Sequence, residues 1–219
     1  MSCGTCGAST AHRNSSNPVL GFAHRGGRAD APENTLAAFT SALARGATGL
    51  ESDVLLDPSG TPYLQHGRHV VPGAPTLADL LGTCGSAYDL CLDLPGGGAE
   101  QVLAVARSHG VDLRRLWLCG RGAAPLAWRR LDPDVRLVTD TRLVHALPSV
   151  PDYLRRLAAG GVDAVNLRRT RWTPGLVRRV HRAGLLAFAW DVQSVAQLRA
   201  VGMLGCDAFY SDSVALVAR

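Results

Sequence analysis

Eight short apolar runs, each followed by a segment of helical periodicity, constrain this chain more than any other feature. The runs are VLGFAH, TGLESDVLL, YDLCLDL, RLWLC, VRLVT, DAVNL, LLAFAW and DAFYS. Near-continuous hydrophobicity of this kind suits strands covered on both faces. Amphipathic stretches lie between them, such as Leu36, Phe39 and Leu43 at i, i+3 and i+7, or Leu176, Val177 and Val180. Gly46, Gly110, Gly161, Gly184 and Gly205 each stand just before the next strand, where a helix ends in a left-handed cap. About eight βα units without a second composition regime imply an α/β fold, a closed (β/α)8 TIM barrel; an open doubly wound sheet is the alternative.

The length of 219 residues suits one such barrel. Residues 1–17 are polar, rich in Gly, Ser and Thr and without hydrophobic period, so they read as a flexible N-terminal tail, with residues 18–219 as the barrel domain. Cys3, Cys6 and His12 in that tail carry part of a zinc-site spacing but lack a fourth ligand. Cys91, Cys119 and Cys206 sit in or beside strand-like runs, where a reduced cysteine behaves as a small buried hydrophobe. A disulfide framework is not expected.

The net charge of +5 comes entirely from arginine, because the chain has no lysine. That looks like a compositional bias and gives little reason to expect a nucleic-acid partner. Arg168, Arg169, Arg171, Arg178, Arg179 and Arg182 cluster, but residues 174–184 read as an amphipathic helix whose solvated face carries several of them. No run reaches the ~18 consecutive apolar residues of a membrane span, and the N-terminus lacks the apolar core of a secretory signal. The expected location is the cytoplasm.

In a parallel barrel the active site gathers at the C-terminal ends of the strands, so the polar residues that end each run are the candidates. His24-Arg25-Gly26-Gly27 follows the first run, Glu51 and Asp53 lie in the second, His66 follows a short next strand and Asp93 lies in the third. Trp190-Asp191 ends the seventh and Asp212 the eighth. Glu51 and Asp53 alternate with their neighbours and so project to one side of their strand. Like charges so close in a barrel interior require a compensating cation, and an all-carboxylate set with Asp93 as third member suits Mg²⁺ or Ca²⁺. The plain alternative is an arginine paired with Glu51 or Asp53. His24 and His66 stand at strand ends beside these carboxylates, and an imidazole is the side chain suited to proton transfer near neutral pH, so one can accept and the other donate a proton. Arg25 supplies the forked donors that match phosphate oxygens. His12, His69, His109, His145 and His181 read as structural or surface residues.

With His24-Arg25-Gly26, Pro32-Glu33-Asn34-Thr35, Glu51-Ser52-Asp53-Val54, His66, Pro75-Thr76-Leu77, Trp190-Asp191-Val192 and Asp207 through Asp212, the chain resembles the glycerophosphodiester phosphodiesterase family over roughly residues 19–215. The resemblance implies hydrolysis of a small-molecule phosphodiester to an alcohol and a phosphomonoester. Catalytic His24 and His66 would work beside a metal held by Glu51, Asp53 and Asp93, with Arg25, Glu33 and Trp190 on the substrate side. Glu33 is open between orienting the site and supporting its turn, and Trp190 is expected to contact a substrate headgroup. Asn34 or Thr35 caps the helix that begins at Leu36.

Three departures from the family pattern stand out. Gly67 replaces the aspartate that usually follows the second histidine. Asp93-Leu94-Pro95 replaces Glu-x-Lys, and the insertion after His66 shrinks to residues 67–74. The resemblance puts the expected substrates among glycerophosphodiesters or lysophospholipids. The competing readings are a degenerate phosphate-binding barrel without turnover and a cyclising lyase like the related phospholipase D toxins of spiders.

Overall fold

Each of the eight apolar runs contributes one parallel strand to a closed barrel in the computed structural model, which describes residues 19–141 and 149–218. The N-terminal tail with Cys3, Cys6 and His12, and also His145, lies outside the described residues. The ring strands are β1 (Leu20–Ala23), β2 (Gly49–Leu56), β4 (Asp89–Asp93), β5 (Leu116–Arg121), β6 (Arg136–Asp140), β7 (Ala164–Arg168), β8 (Leu186–Trp190) and β9 (Ala208–Ser211). A short strand, β3 (Pro62–Leu64), pairs antiparallel with the end of β2 and stays outside the ring. The helices that follow the ring strands in turn are α1 (Leu36–Ala44), α2 (Leu77–Cys84), α3 (Ala99–Ser108), α4 (Ala124–Trp128), α5 (Val150–Ala159), α6 (Pro174–Arg182), α7 (Val195–Leu204) and α8 (Val214–Val217).

Closure decides between the two architectures that the sequence allows. β1 pairs with β9 on one side and with β2 on the other, Ala23 opposite Leu50, so the sheet has no open edge between its first and last strands. The approach is tight at this seam. A Cβ on Gly49 would lie 2.4 Å from the Gly21 carbonyl oxygen, so only glycine lets the two backbones meet.

Strand alternation sorts the side chains into two cores. Leu50, Leu90, Leu92, Leu116, Leu118, Leu137, Val165, Leu167, Ala187, Ala189 and Phe209 point outward and share one cluster with helix residues such as Phe39, Leu80, Leu103, Leu157 and Val180. Phe22, Cys91, Trp117, Cys119, Val138, Ala164, Phe188, Ala208 and Tyr210 point inward and form the second. Phe22 stacks on Tyr210 with ring centroids 5.1 Å apart, and Trp117 meets Phe188 at the same separation. These rings plug the barrel and set a floor beneath its mouth.

Local signals act as the sequence implies. Thr35 caps α1 by accepting from the Ala38 N–H at 3.2 Å, so the cap is Thr35 and Asn34 is the buried residue before it, with a positive φ of 56°. The Asn34 side chain accepts a 2.8 Å hydrogen bond from Ser52 and ties this turn to β2. Thr76 and Asp79 form a reciprocal capping box on α2. α6 buries Val177 and Val180 while Arg178, Arg179 and Arg182 face solvent. Cys84, Cys91, Cys119 and Cys206 are all free thiols. Among the described residues no helix is long and apolar enough to cross a membrane.

Candidate active site at the barrel mouth

The inward parity of the barrel core, carried two residues further along each strand, builds the site. Phe22 leads to His24, Cys91 to Asp93, Cys119 to Arg121, Val138 to Asp140, Ala164 to Asn166, Phe188 to Trp190 and Tyr210 to Asp212. On β2 the inward pair is Glu51 and Asp53. All nine of these mouth residues line one cavity of about 530 Å³. Its floor is thiol and phenol: Cys91 Sγ lies 3.3 Å from Tyr210 Oη, and burial pushes both groups well above their ordinary pKa.

His24 opens a single helical turn directly after β1. Its Nδ1 lies 2.6 Å from Asp212 Oδ1 and its Nε2 3.8 Å from Glu51 Oε2, so the imidazole bridges the last strand and the second. Burial lowers the His24 pKa, with the Asp212 hydrogen bond acting against it. Asp212 is fixed in turn, because its backbone N–H donates to Gln193 Oε1 at 3.1 Å and Gln193 Nε2 donates to Asp191 Oδ1 at 3.2 Å.

Arg25 is held in a left-handed conformation, φ 53°, which costs a non-glycine residue on the order of 1 kcal/mol. The surroundings enforce it. Its N–H donates to Glu51 Oε2 at 3.0 Å, its carbonyl accepts from Asn34 N–H at 2.9 Å, and its guanidinium lies 2.9 Å from Asp53 and 3.1 Å from Glu33. Gly27 follows at φ 89°, where a Cβ would collide with Val214 at 2.4 Å. The His-Arg-Gly-Gly turn is thus held in the conformation that delivers both side chains to the mouth.

The carboxylates press on one another. Burial, then Asp53, raise Glu51 well above the usual range; burial, then Asp53 and Asp140, push Asp93 up to about 6, with Arg121 acting against the rise. Asp93 Oδ1 is buried without a hydrogen-bond partner. This donor set, hard, anionic and incompletely neutralised, fits Mg²⁺ or Ca²⁺. As positioned, though, Asp53 pairs with Arg25, and among the described residues no group of three or more His, Cys, Asp or Glu is closed around a cation position.

The other expected site residues fall in three different places. His66 lines the cavity from its exposed rim, on a segment that Gln65 secures by donating to His69 O at 3.0 Å and accepting from Val71 N–H at 2.9 Å. Among the described residues no aspartate stands behind His66 as Asp212 does behind His24. Trp190 lines the wall, 38% exposed, with the Arg168 guanidinium 5.8 Å from its ring centroid. Glu33 does not line the cavity. It stands behind Arg25 and also lies 3.6 Å from Arg28, which supports the orienting role.

Several cavity residues were not singled out from the sequence: Arg28, Arg121, Asp140, Asn166, Gln193 and, as the partner of His24, Asp212. For Arg121, Asp140, Asn166 and Asp212 a signal existed, since each continues the inward parity of its strand by one step. Arg28 and Gln193 sit in loops with no such period.

A (β/α)8 barrel with a histidine–carboxylate pair and a set of acidic side chains at its C-terminal mouth is the class of protein that these observations define. Residues 24–93, about a third of the chain, match the Glycerophosphoryl diester phosphodiesterase family. Rat glycerophosphodiester phosphodiesterase 1 is 48% identical over 65 residues, which is 28% of this chain; the match spans only a fifth of that relative's length. A Silicibacter pomeroyi barrel bearing the same family name superposes with a TM-score of 0.80 at 21% identity over 91% of each chain. An Oleispira antarctica phosphodiesterase in complex with the product sn-glycerol-3-phosphate superposes with a TM-score of 0.75 at 21% identity, over 90% of this chain and 94% of its own.

Proposed function

We propose that this protein is a metal-dependent phosphodiester hydrolase that cleaves glycerophosphodiesters or related lysophospholipids to an alcohol and a phosphomonoester, which is glycerol 3-phosphate from the former and its acylated form from the latter. The observation that carries this reading is one cavity uniting the His24–Asp212 pair with Glu51, Asp53 and Asp93. The glycerol 3-phosphate bound by the Oleispira barrel supports the substrate class.

In this reading Asp212 holds His24 Nδ1–H and leaves Nε2 to move a proton on the cavity side. His66 performs the complementary transfer from the exposed rim. Arg25, steadied by Glu33, presents its guanidinium to the phosphoryl oxygens, and Trp190 packs against the alcohol. Glu51, Asp53 and Asp93 would hold the Mg²⁺ or Ca²⁺ ion, which supplies positive charge to the phosphoryl group.

The test is phosphorus NMR of glycerophosphocholine incubated with the protein and Mg²⁺ or Ca²⁺. A phosphomonoester and free choline are expected. A cyclic phosphate would identify a lyase instead, and the absence of reaction with glycerophosphodiesters and lysophospholipids alike would leave a binding protein.

A further inference from the structure

The cavity is strongly acidic for a site that must admit a phosphodiester. Glu51, Asp53, Asp93, Asp140, Asp191 and Asp212 all line it, and an entering anion meets their combined field. Cations must offset that field, and two of the three arginines that line the cavity are already committed. Arg25 is paired with Asp53 at 2.9 Å and with Glu33 at 3.1 Å. Arg28 lies 3.5 Å from Asp212 and 3.6 Å from Glu33.

Arg121 differs from both. It ends β5, one inward step above Cys119, whose register partner on β4 is Asp93. Its side chain is exposed at the mouth, and among the described residues it has no carboxylate within ion-pair distance. Its charge nevertheless acts on Asp93, partly opposing the rise that burial and the neighbouring carboxylates cause there. On the adjoining segment the wall continues with Pro95, which brings no charge.

We propose that Arg121 is a second substrate-binding arginine, which joins Arg25 in holding the non-bridging phosphoryl oxygens, from the strand next to Asp93. The inference rests on the hydrolase reading for its substrate, but not for its test. A guanidinium presents paired N–H donors that match two phosphoryl oxygens, and one held off by no carboxylate pays no exchange cost to bind them. Because a non-bridging oxygen is grasped alike before and during the reaction, its loss falls on binding more than on turnover.

The experiment titrates wild type, Arg121→Gln, Arg121→Lys and Arg28→Gln with inorganic phosphate and with glycerol 3-phosphate by calorimetry in Mg²⁺, beside kcat and KM for glycerophosphocholine. Thermal melts verify that each variant folds. Arg121→Gln should weaken both anions on the order of 10- to 100-fold, the effect of losing a charge-assisted hydrogen bond. KM should rise by a similar factor and kcat should change less, while Arg121→Lys recovers part of the affinity. Binding by Arg121→Gln within about twofold of wild type overturns the assignment, as does a loss confined to Arg28→Gln or a wild-type protein that binds neither anion. A wild type that binds phosphate through Arg121 yet releases no phosphomonoester would keep the anchor and remove the hydrolase reading.

Discussion

Asp212, the residue directly after the last barrel strand, holds His24, the residue directly after the first, through a 2.6 Å contact to Nδ1. The pair spans the seam where the barrel closes, so the imidazole is oriented only once β1 and β9 lie side by side. Asp212→Asn should therefore lower kcat about 10- to 100-fold without unfolding the protein, as loss of an orienting partner does. His24→Ala and His66→Ala should each cost at least ~10² in kcat, and the double variant should lose less than the product if both act in one step. Stopped assays on the four proteins decide this, and an unaffected His66→Ala would return that exposed residue to a surface role.

Chelation should abolish turnover and lower the melting temperature, because a cation bound only by the folded protein stabilises it. Differential scanning calorimetry with Mg²⁺, with Ca²⁺ and with EDTA reads both effects. Full activity in excess EDTA would remove the metal from the mechanism.

Far from the mouth, His181 Nε2 lies 2.8 Å from Asp207 Oδ2, and that hydrogen bond, opposed by partial burial, raises the histidine pKa. A raised folded-state pKa makes the contribution complete below the unfolded value of about 6.5 and gone once pH passes above the folded value. The stability difference between wild type and His181→Gln should accordingly shrink as pH rises from 5.5 to 8.5 (urea midpoints, pH range chosen on the order of a unit or two either side of the histidine pKa). A difference that stays constant would show that the contact contributes through packing alone.

Phe22 is fully buried and touches Trp117, Phe188 and Tyr210, so it is the hub of the barrel plug. Phe22→Ala should destabilise the protein by about 3–5 kcal/mol, measured by denaturant unfolding. A loss below ~1 kcal/mol would mean that neighbouring rings collapse into the space.

Much of this molecule was legible in the sequence because barrel strands and their helices are specified locally. Hydrophobic runs, helical periods, the Thr35 and Thr76 caps and the glycines before each strand require only neighbours along the chain. The inward pair Glu51 and Asp53 follows from strand parity alone, and so would Arg121, Asp140 and Asn166 have followed from the same parity. The count of about eight βα units favoured closure over an open sheet, although an open sheet uses identical local patterns; β1 pairing with β2 and β9, with Gly49 permitting the approach, is what closes the ring. Partner choice could not be read from the sequence. The alternative of an arginine beside the β2 carboxylates proved real for Asp53, which Arg25 meets at 2.9 Å. His24 gained Asp212 from 188 residues away, while His66 stayed exposed with no such carboxylate among the described residues. Sequence determined which side chains reach the mouth, because that depends on a period of two along one strand. Only the tertiary structure decided which of them meet, because ion pairs and hydrogen bonds act over a few ångströms between strands whose order the local pattern does not encode.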